Sequence, residues 1–236
     1  MAGAVELAGA GSGILKPGQL VGVDARLSLR PGPRWASRAA AKLEAALDAF
    51  EVDPTGRACL DAGASTGGFT DLLLSRGARI VYAVDVGRAQ LLDRLRSDPR
   101  VVSMERTNLR HLHALPESIH LATLDLSFIS LHLVLPAVHA LLGPEGRVIA
   151  LVKPQFEAGR ALVPRGGVVR DPDVHRDVLL RFAADAASAG MATIAVIRSP
   201  ITGADGNVEF LVQLAPTAFA APGWVASVLR VTGTPP

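Results

Sequence analysis

From Trp35 onward the chain alternates two hydrophobic patterns. Short continuous apolar runs mark strands buried on both faces, and apolar residues recurring every three or four positions mark amphipathic helices. The expected strands are Ala58–Ala62, Ile80–Val84, Val101–Met104, Leu121–Asp125, Val148–Val152, Thr193–Ile197 and Phe210–Leu214. The expected helices run from Ser37, a good N-cap, to about Phe50, and over Gly67–Arg76, Arg88–Arg96, Leu131–Leu142 and Asp173–Gly190. A long loop, Pro154 to Asp171, precedes the last helix. This order predicts an α/β fold: a mostly parallel seven-stranded sheet with helices on both faces. Ligands of such sheets bind at the carboxyl ends of the strands.

Residues 1–33 follow another pattern, rich in Gly and Ala with short β-like pieces at Ala4–Leu7, Gln19–Val21 and Arg26–Leu29. Lys16-Pro17-Gly18 reads as a turn and Pro31-Gly32-Pro33 as a boundary. The expected organisation is a small segment and linker, 1–33, before one large domain, 34–236.

With 236 residues, 49% hydrophobic and 19% charged, the composition is that of a packed globular protein. The single cysteine, Cys59, excludes a disulfide framework and fits a reducing cytoplasm. No secretory signal is visible. The greasiest stretch, Leu121 to Leu142, is interrupted by Asp125, His132, Pro136 and His139, so no membrane span is expected. The six histidines show no metal-ligand clustering, and no metal is expected. Net charge is only +2. Between Ala25 and Leu43, however, lie Arg26, Arg30, Arg34, Arg38 and Lys42 with no acid, which reads equally as a solvated linker or as phosphate contacts.

The chemistry-bearing residues sit at element ends. Asp125 and Lys153 close apolar runs, Glu209 opens one, and Lys42 stands at the start of the first long helix. Any one alone reads as a surface charge. Together they suit deprotonation of a hydroxyl, because a lysine serves as a base where burial or a second cation favours its neutral form. Lys153 is the expected base and Lys42 the second cation or ribose holder, with Asp125 and Glu209 orienting them. After the first strand of the large domain, Asp61-Ala-Gly63-Ala64-Ser65-Thr66-Gly67-Gly68-Phe69 departs from the dinucleotide G-x-G-x-x-G spacing. It fits the D/E-x-G-x-x-x-G loop of S-adenosylmethionine (SAM) enzymes. Asp85, ending the next strand, suits a ribose diol, and Thr107-Asn108 an adenine edge or a plain turn. Asp125-Leu-Ser-Phe128 lacks the prolines of amino-group methylases, and Cys59 is misplaced for attack on a base.

These segments resemble the TlyA (hemolysin-A-like) family of ribosomal RNA 2′-O-methyltransferases, whose catalytic domain is FtsJ-like. The resemblance is carried by Ser37-Arg38 with Lys42-Leu43-Glu44, Leu60–Asp71, Val81–Val86, Glu105–Asn108, Ser127–Ser130, Leu151–Glu157, Gly166–Asp171, Ser199-Pro200 and Gly206–Phe210. It implies a Rossmann-like SAM-dependent methyltransferase domain preceded by the remnant of an S4-type RNA-binding domain. It further implies a tetrad of Lys42, Asp125, Lys153 and Glu209, SAM as cofactor, and a cytidine 2′-hydroxyl of 16S or 23S rRNA, free or in ribosomal subunits, as substrate. Arg34, Arg38, Arg160 and Arg165 are expected to meet RNA phosphates. Family members carry glycines where Ala39 and Ala40 stand, and a basic Gly-Lys-Gly-Gly where this chain has Pro164-Arg165-Gly166-Gly167. Two other readings of the chain are a non-catalytic RNA- or ribosome-binding protein of the same fold and a pore-forming hemolysin.

Overall fold

The computed structural model describes residues 4–7, 14–16, 18–30, 34–219 and 223–233. At the N-terminus β1 (Ala4–Leu7) pairs antiparallel with β2 (Leu27–Arg30). The amide of Gln19 donates to the Lys16 carbonyl at 3.0 Å, closing the expected turn. Gln19–Val21 forms no strand, contrary to expectation. Pro17 and the expected boundary at Pro31–Pro33 lie outside the described residues.

The large domain then runs α1 (Ala40–Ala49), β3 (Ala58–Ala62), α2 (Gly68–Ser75), β4 (Ile80–Val84), α3 (Asp93–Arg96), β5 (Val101–Met104) and β6 (Ile119–Leu124). It continues with α4 (Leu135–Leu141), β7 (Leu142–Val152), α5 (Pro154–Glu157), α6 (Pro172–Ser188), β8 (Met191–Arg198), β9 (Phe210–Pro216) and α7 (Trp224–Thr232). The seven strands follow the order β5-β4-β3-β6-β7-β9-β8. The sheet is parallel from β5 to β7, and β9 runs antiparallel to both of its neighbours. Alternate strand residues feed two cores. Leu60, Ala122, Val148 and Phe210 pack under α4, α6 and α7, while Cys59, Val81, Leu121 and Ile149 pack under α1 and α2.

Several expected boundaries are corrected. Ser37 is not a helix cap; its hydroxyl accepts the Ala39 amide within a tight turn, and α1 starts at Ala40. The helix expected over Arg88–Arg96 shrinks to α3. Asp85 captures the Gly87 amide at 2.7 Å, Glu105 captures the Ala89 amide at 2.8 Å, and Ala89 turns left-handed. These side-chain acceptors out-compete the first helical turn. The helix expected over Leu131–Leu142 becomes a 3-10 turn followed by α4, which places Pro136 in the first turn, where its missing N–H costs nothing. The long loop after β7 contains α5 and a 3-10 turn at Arg160–Leu162. Asp171 caps α6 by accepting the Asp173 amide.

Candidate active site

Sheet register brings the chemistry together. Ala62 pairs with Leu124 and with Val84, so Gly63, Asp125 and Asp85 emerge side by side at the carboxyl ends of β3, β6 and β4. Val152 pairs with Phe210, so Lys153 follows β7 beside Glu209, which precedes β9. Because β9 is reversed, its amino end lies at the same edge as the carboxyl ends of the parallel strands. This is why Asp85, Asp125 and Lys153 follow strands and Glu209 comes before one. Lys42 joins them from the first turn of α1, whose Leu43, Ala46 and Leu47 anchor the helix in the core.

The four expected catalytic side chains form two close ion pairs. Lys153 Nζ lies 2.6 Å from Asp125 Oδ1 and donates to Ser127 Oγ at 3.0 Å. Lys42 Nζ lies 2.5 Å from Glu209 Oε2. Both lysines are 8% exposed, far below a surface lysine. All four line one cavity of about 350 Å³, together with Gly63, Ala64, Ser65, Thr66, Gly68 and Phe69 of the glycine loop. Gly203 also lines it, and a Cβ there would come within 2.2 Å of Glu209 Oε1.

A second cavity of about 480 Å³ shares Gly63, Ser65, Asp125, Ser127 and Phe128 with the first and is lined by Asp85, Thr107, Asn108 and Leu109. The glycine loop bounds both because Gly63 is left-handed and pressed on the neighbouring strand end. A Cβ there would stand 2.4 Å from the Asp125 carbonyl oxygen. Asp85 already accepts the Ser65 amide at 2.8 Å through Oδ2 and the Gly87 amide through Oδ1. Each oxygen keeps a lone pair for a hydroxyl. Thr107 donates its hydroxyl to the Glu105 carbonyl, and Asn108 Oδ1 accepts the Arg110 amide, so both hold the turn while lining the cavity.

Two residues of the expected cofactor loop, Asp61 and Gly67, lie off the cavity walls. Asp61 does not reach either cavity. It is wholly buried beneath the loop, where it accepts the Thr70 hydroxyl at 2.6 Å and the Thr123 hydroxyl at 3.2 Å. Burial pushes its carboxyl up to about 6. Gly67 also misses the cavity walls; its lack of a side chain leaves room for Leu91 and Leu95. Of the expected RNA contacts, Arg34 pairs with Glu44 at 3.6 Å and stacks over Trp35. Arg38 and Arg165 are exposed, and Arg160 lines a third cavity, of about 460 Å³, beyond Phe128, Gln155 and Phe156.

Four wall residues escaped the sequence reading as site residues: Ser127, Phe128, Gln155 and Phe156. Phe128 is 91% exposed, left-handed at φ 63°, and stands 5.2 Å from the Phe156 ring. Gln155 Oε1 is buried and meets no hydrogen-bond partner among the described residues. The local signal was Asp125-Leu-Ser-Phe128, where a bulky aromatic follows small polar residues just past a strand end.

A glycine turn after the first strand of such a sheet, an acid after the second, and lysine–carboxylate pairs at the same edge define a methyltransferase of the Rossmann-like class. The chain belongs to the FtsJ-like methyltransferase family, which matches residues 35–215. The 16S/23S rRNA (cytidine-2′-O)-methyltransferase TlyA of Mycobacterium tuberculosis is 50% identical over 182 residues, 76% of this chain and 68% of that protein. Hemolysin A of Brachyspira hyodysenteriae is 40% identical over 181 residues, 75% of each chain. A solved structure from Streptococcus thermophilus that also carries the hemolysin name aligns with a TM-score of 0.83 at 41% identity, covering 98% of this chain and 85% of that one. Among the described residues, no helix is long and apolar enough to cross a membrane.

Proposed function

We propose that this protein transfers a methyl group from SAM to the 2′-hydroxyl of a cytidine in 16S or 23S rRNA. The observation that carries the reading is the pair of buried lysine–carboxylate contacts in one cavity, adjoining a second cavity shaped for a nucleoside. The relative from Mycobacterium tuberculosis supplies the cytidine and the rRNA.

The residues of the second cavity fit SAM. The Gly63 turn lets backbone approach a ligand closely, Asp85 has acceptor capacity for a ribose diol, and Leu109, Ile129 and Val134 offer an apolar bed for a base. SAM, when bound, supplies an electrophilic methyl group on a sulfonium. The protein's own part is to hold the ribose and to take its proton. Lys153 is the base: its amine accepts the 2′-hydroxyl proton as the new O–C bond forms, and Asp125 and Ser127 fix the resulting ammonium. Lys42, oriented by Glu209, holds the ribose oxygens from the other side.

Phe128 and Phe156 offer ring surface to an unstacked base at the mouth of the site, and the buried Gln155 oxygen offers an acceptor. Arg34, Arg38, Arg160 and Arg165 meet RNA phosphates, and residues 1–33, read as the end of an S4-type RNA-binding domain, add to that grip. The test is transfer of labelled methyl from SAM to purified, unmodified 30S and 50S subunits, followed by nucleoside mapping. Label on a cytidine 2′-oxygen supports the reading. Label on a base, or SAM binding without transfer to either subunit, counts against it.

A further inference from the structure

α5 follows directly on Lys153, and its last residue, Glu157, reaches across to the loop that follows β6. Glu157 Oε1 accepts the Leu131 amide at 2.9 Å, and Oε2 accepts the Ser130 hydroxyl. The Ser130 oxygen also lies 2.8 Å from His132 Nδ1. Burial raises the Glu157 carboxyl above its ordinary value, while the Ser130 and Leu131 donors oppose the rise. Glu157 lines neither the catalytic cavity nor the one beyond Phe128.

The loop it holds is the one the chemistry needs. Its near end is fixed where the Asp125 amide donates to the Ala62 carbonyl at 2.9 Å. Its far end is fixed at Leu131 by Glu157. Between these points Ser127 takes the hydrogen bond from Lys153, and Phe128 sits left-handed with its ring in the open. A bulky residue in that conformation persists only where its surroundings over-determine it.

We propose that Glu157 is a positioning residue for the target nucleoside. It clamps the Ser127–Leu131 loop to the segment after Lys153, so that the Ser127 hydroxyl stays on the base and the Phe128 ring stays at the mouth of the site. This rests on the reading of the cavity as a ribose methylation site. It separates Glu157 from the four tetrad residues: it touches no reactant and acts through Ser130 and Leu131.

The test uses the full chain in three variants, Glu157→Ala, Glu157→Gln and Ser130→Ala, with two readouts. The first is amide hydrogen exchange. Residues 127–131 should exchange about tenfold or more faster in Glu157→Ala, with β6 protection unchanged, since the lost bonds are to a charged acceptor. In Glu157→Gln the amide oxygen can accept the Leu131 amide and its nitrogen can donate to Ser130, so protection should return. The second readout is methyl transfer to subunits. Glu157→Ala should raise KM for the subunit, or lower kcat/KM, by about 10- to 100-fold, and should weaken SAM, whose cavity the same loop lines through Ser127, Phe128 and Ile129, by clearly less. Glu157→Gln should stay near wild type. Ser130→Ala, which removes one of the two bonds, should move both readouts the same way by less, and it carries the test if Glu157→Ala does not fold. Faster exchange with unchanged transfer would overturn the proposal, as would a Gln variant as impaired as the Ala variant. Equal loss of SAM and subunit binding would do the same. Absence of transfer by the wild-type protein would instead overturn the ribose reading, while the exchange arm would still decide whether the clamp exists.

Discussion

Lys42 and Glu209 should behave as a buried pair whose members cannot be removed singly. Their side chains are 10% and 3% exposed, and the charged atoms are 2.5 Å apart. A solvent-exposed pair contributes about 0–1 kcal/mol. At this burial, removing one partner strands a charge away from water, which costs about 3–5 kcal/mol. Lys42→Met and Glu209→Leu are therefore each expected to lower stability by that amount. For a chain of this length, this corresponds to a fall in Tm of about 6–20 °C. The double variant removes both charges and should recover to within about 1–2 kcal/mol of wild type. Urea unfolding without cofactor measures all four proteins. Methyl transfer should be lost in all three variants, so the double variant would be folded and inactive. Single variants costing under about 1 kcal/mol would refute the reasoning, as would a double variant as unstable as the sum of the singles.

Gly63→Ala would place a Cβ 2.4 Å from the Asp125 carbonyl oxygen at a left-handed backbone position. SAM affinity measured by calorimetry should fall at least about tenfold, with about 1–3 kcal/mol of lost stability. Asp61 titrates near 6 when folded against 3.8 otherwise, because burial disfavours its charge. Its contribution is then fully present below about 3.8 and is lost as pH rises through about 6, by up to about 3 kcal/mol. Asp61→Asn lacks that titration, so its stability relative to wild type should climb between pH 4 and pH 6 and then level off; a flat difference in urea midpoints would contradict this. Arg160→Ala and Arg165→Ala should each weaken binding to rRNA and reduce the slope of log K against log salt by about 1, with SAM affinity unchanged.

Much of this architecture is legible in the chain. β3, β4 and β5 match the expected spans to the residue, because each is a short apolar run stopped by charge, glycine or a tight turn. The residues of the tetrad could be singled out by position, but not their pairing. Lys153 meets Asp125 because β6 and β7 are parallel neighbours, Lys42 meets Glu209 because β9 is reversed and in register with β7, and periodicity does not encode strand order. The shortened α3 was not legible, because Asp85 and Glu105 redirect the backbone through side-chain bonds formed across the loop. An acid before a glycine turn looks the same in sequence whether it faces a cavity or, as Asp61 does, the hydroxyl of Thr70. Glu157 lies in a segment that carries the resemblance, but its clamp was not legible: its partners Ser130 and Leu131 lie 27 and 26 positions away. The C-terminal helix α7 was not anticipated either, although Val228 is buried in the core beside α6.

The central claim is that Lys153, held by Asp125 and Ser127, takes the ribose proton. Its most direct test compares wild type with Lys153→Ala in transfer of labelled methyl from SAM to unmodified 30S and 50S subunits, with SAM affinity measured alongside. The account predicts cytidine 2′-O-methylation by wild type, loss of turnover by at least about a thousandfold in the variant, and SAM affinity nearly unchanged. A variant that retains substantial turnover, or one that loses SAM binding in proportion to activity, would contradict it.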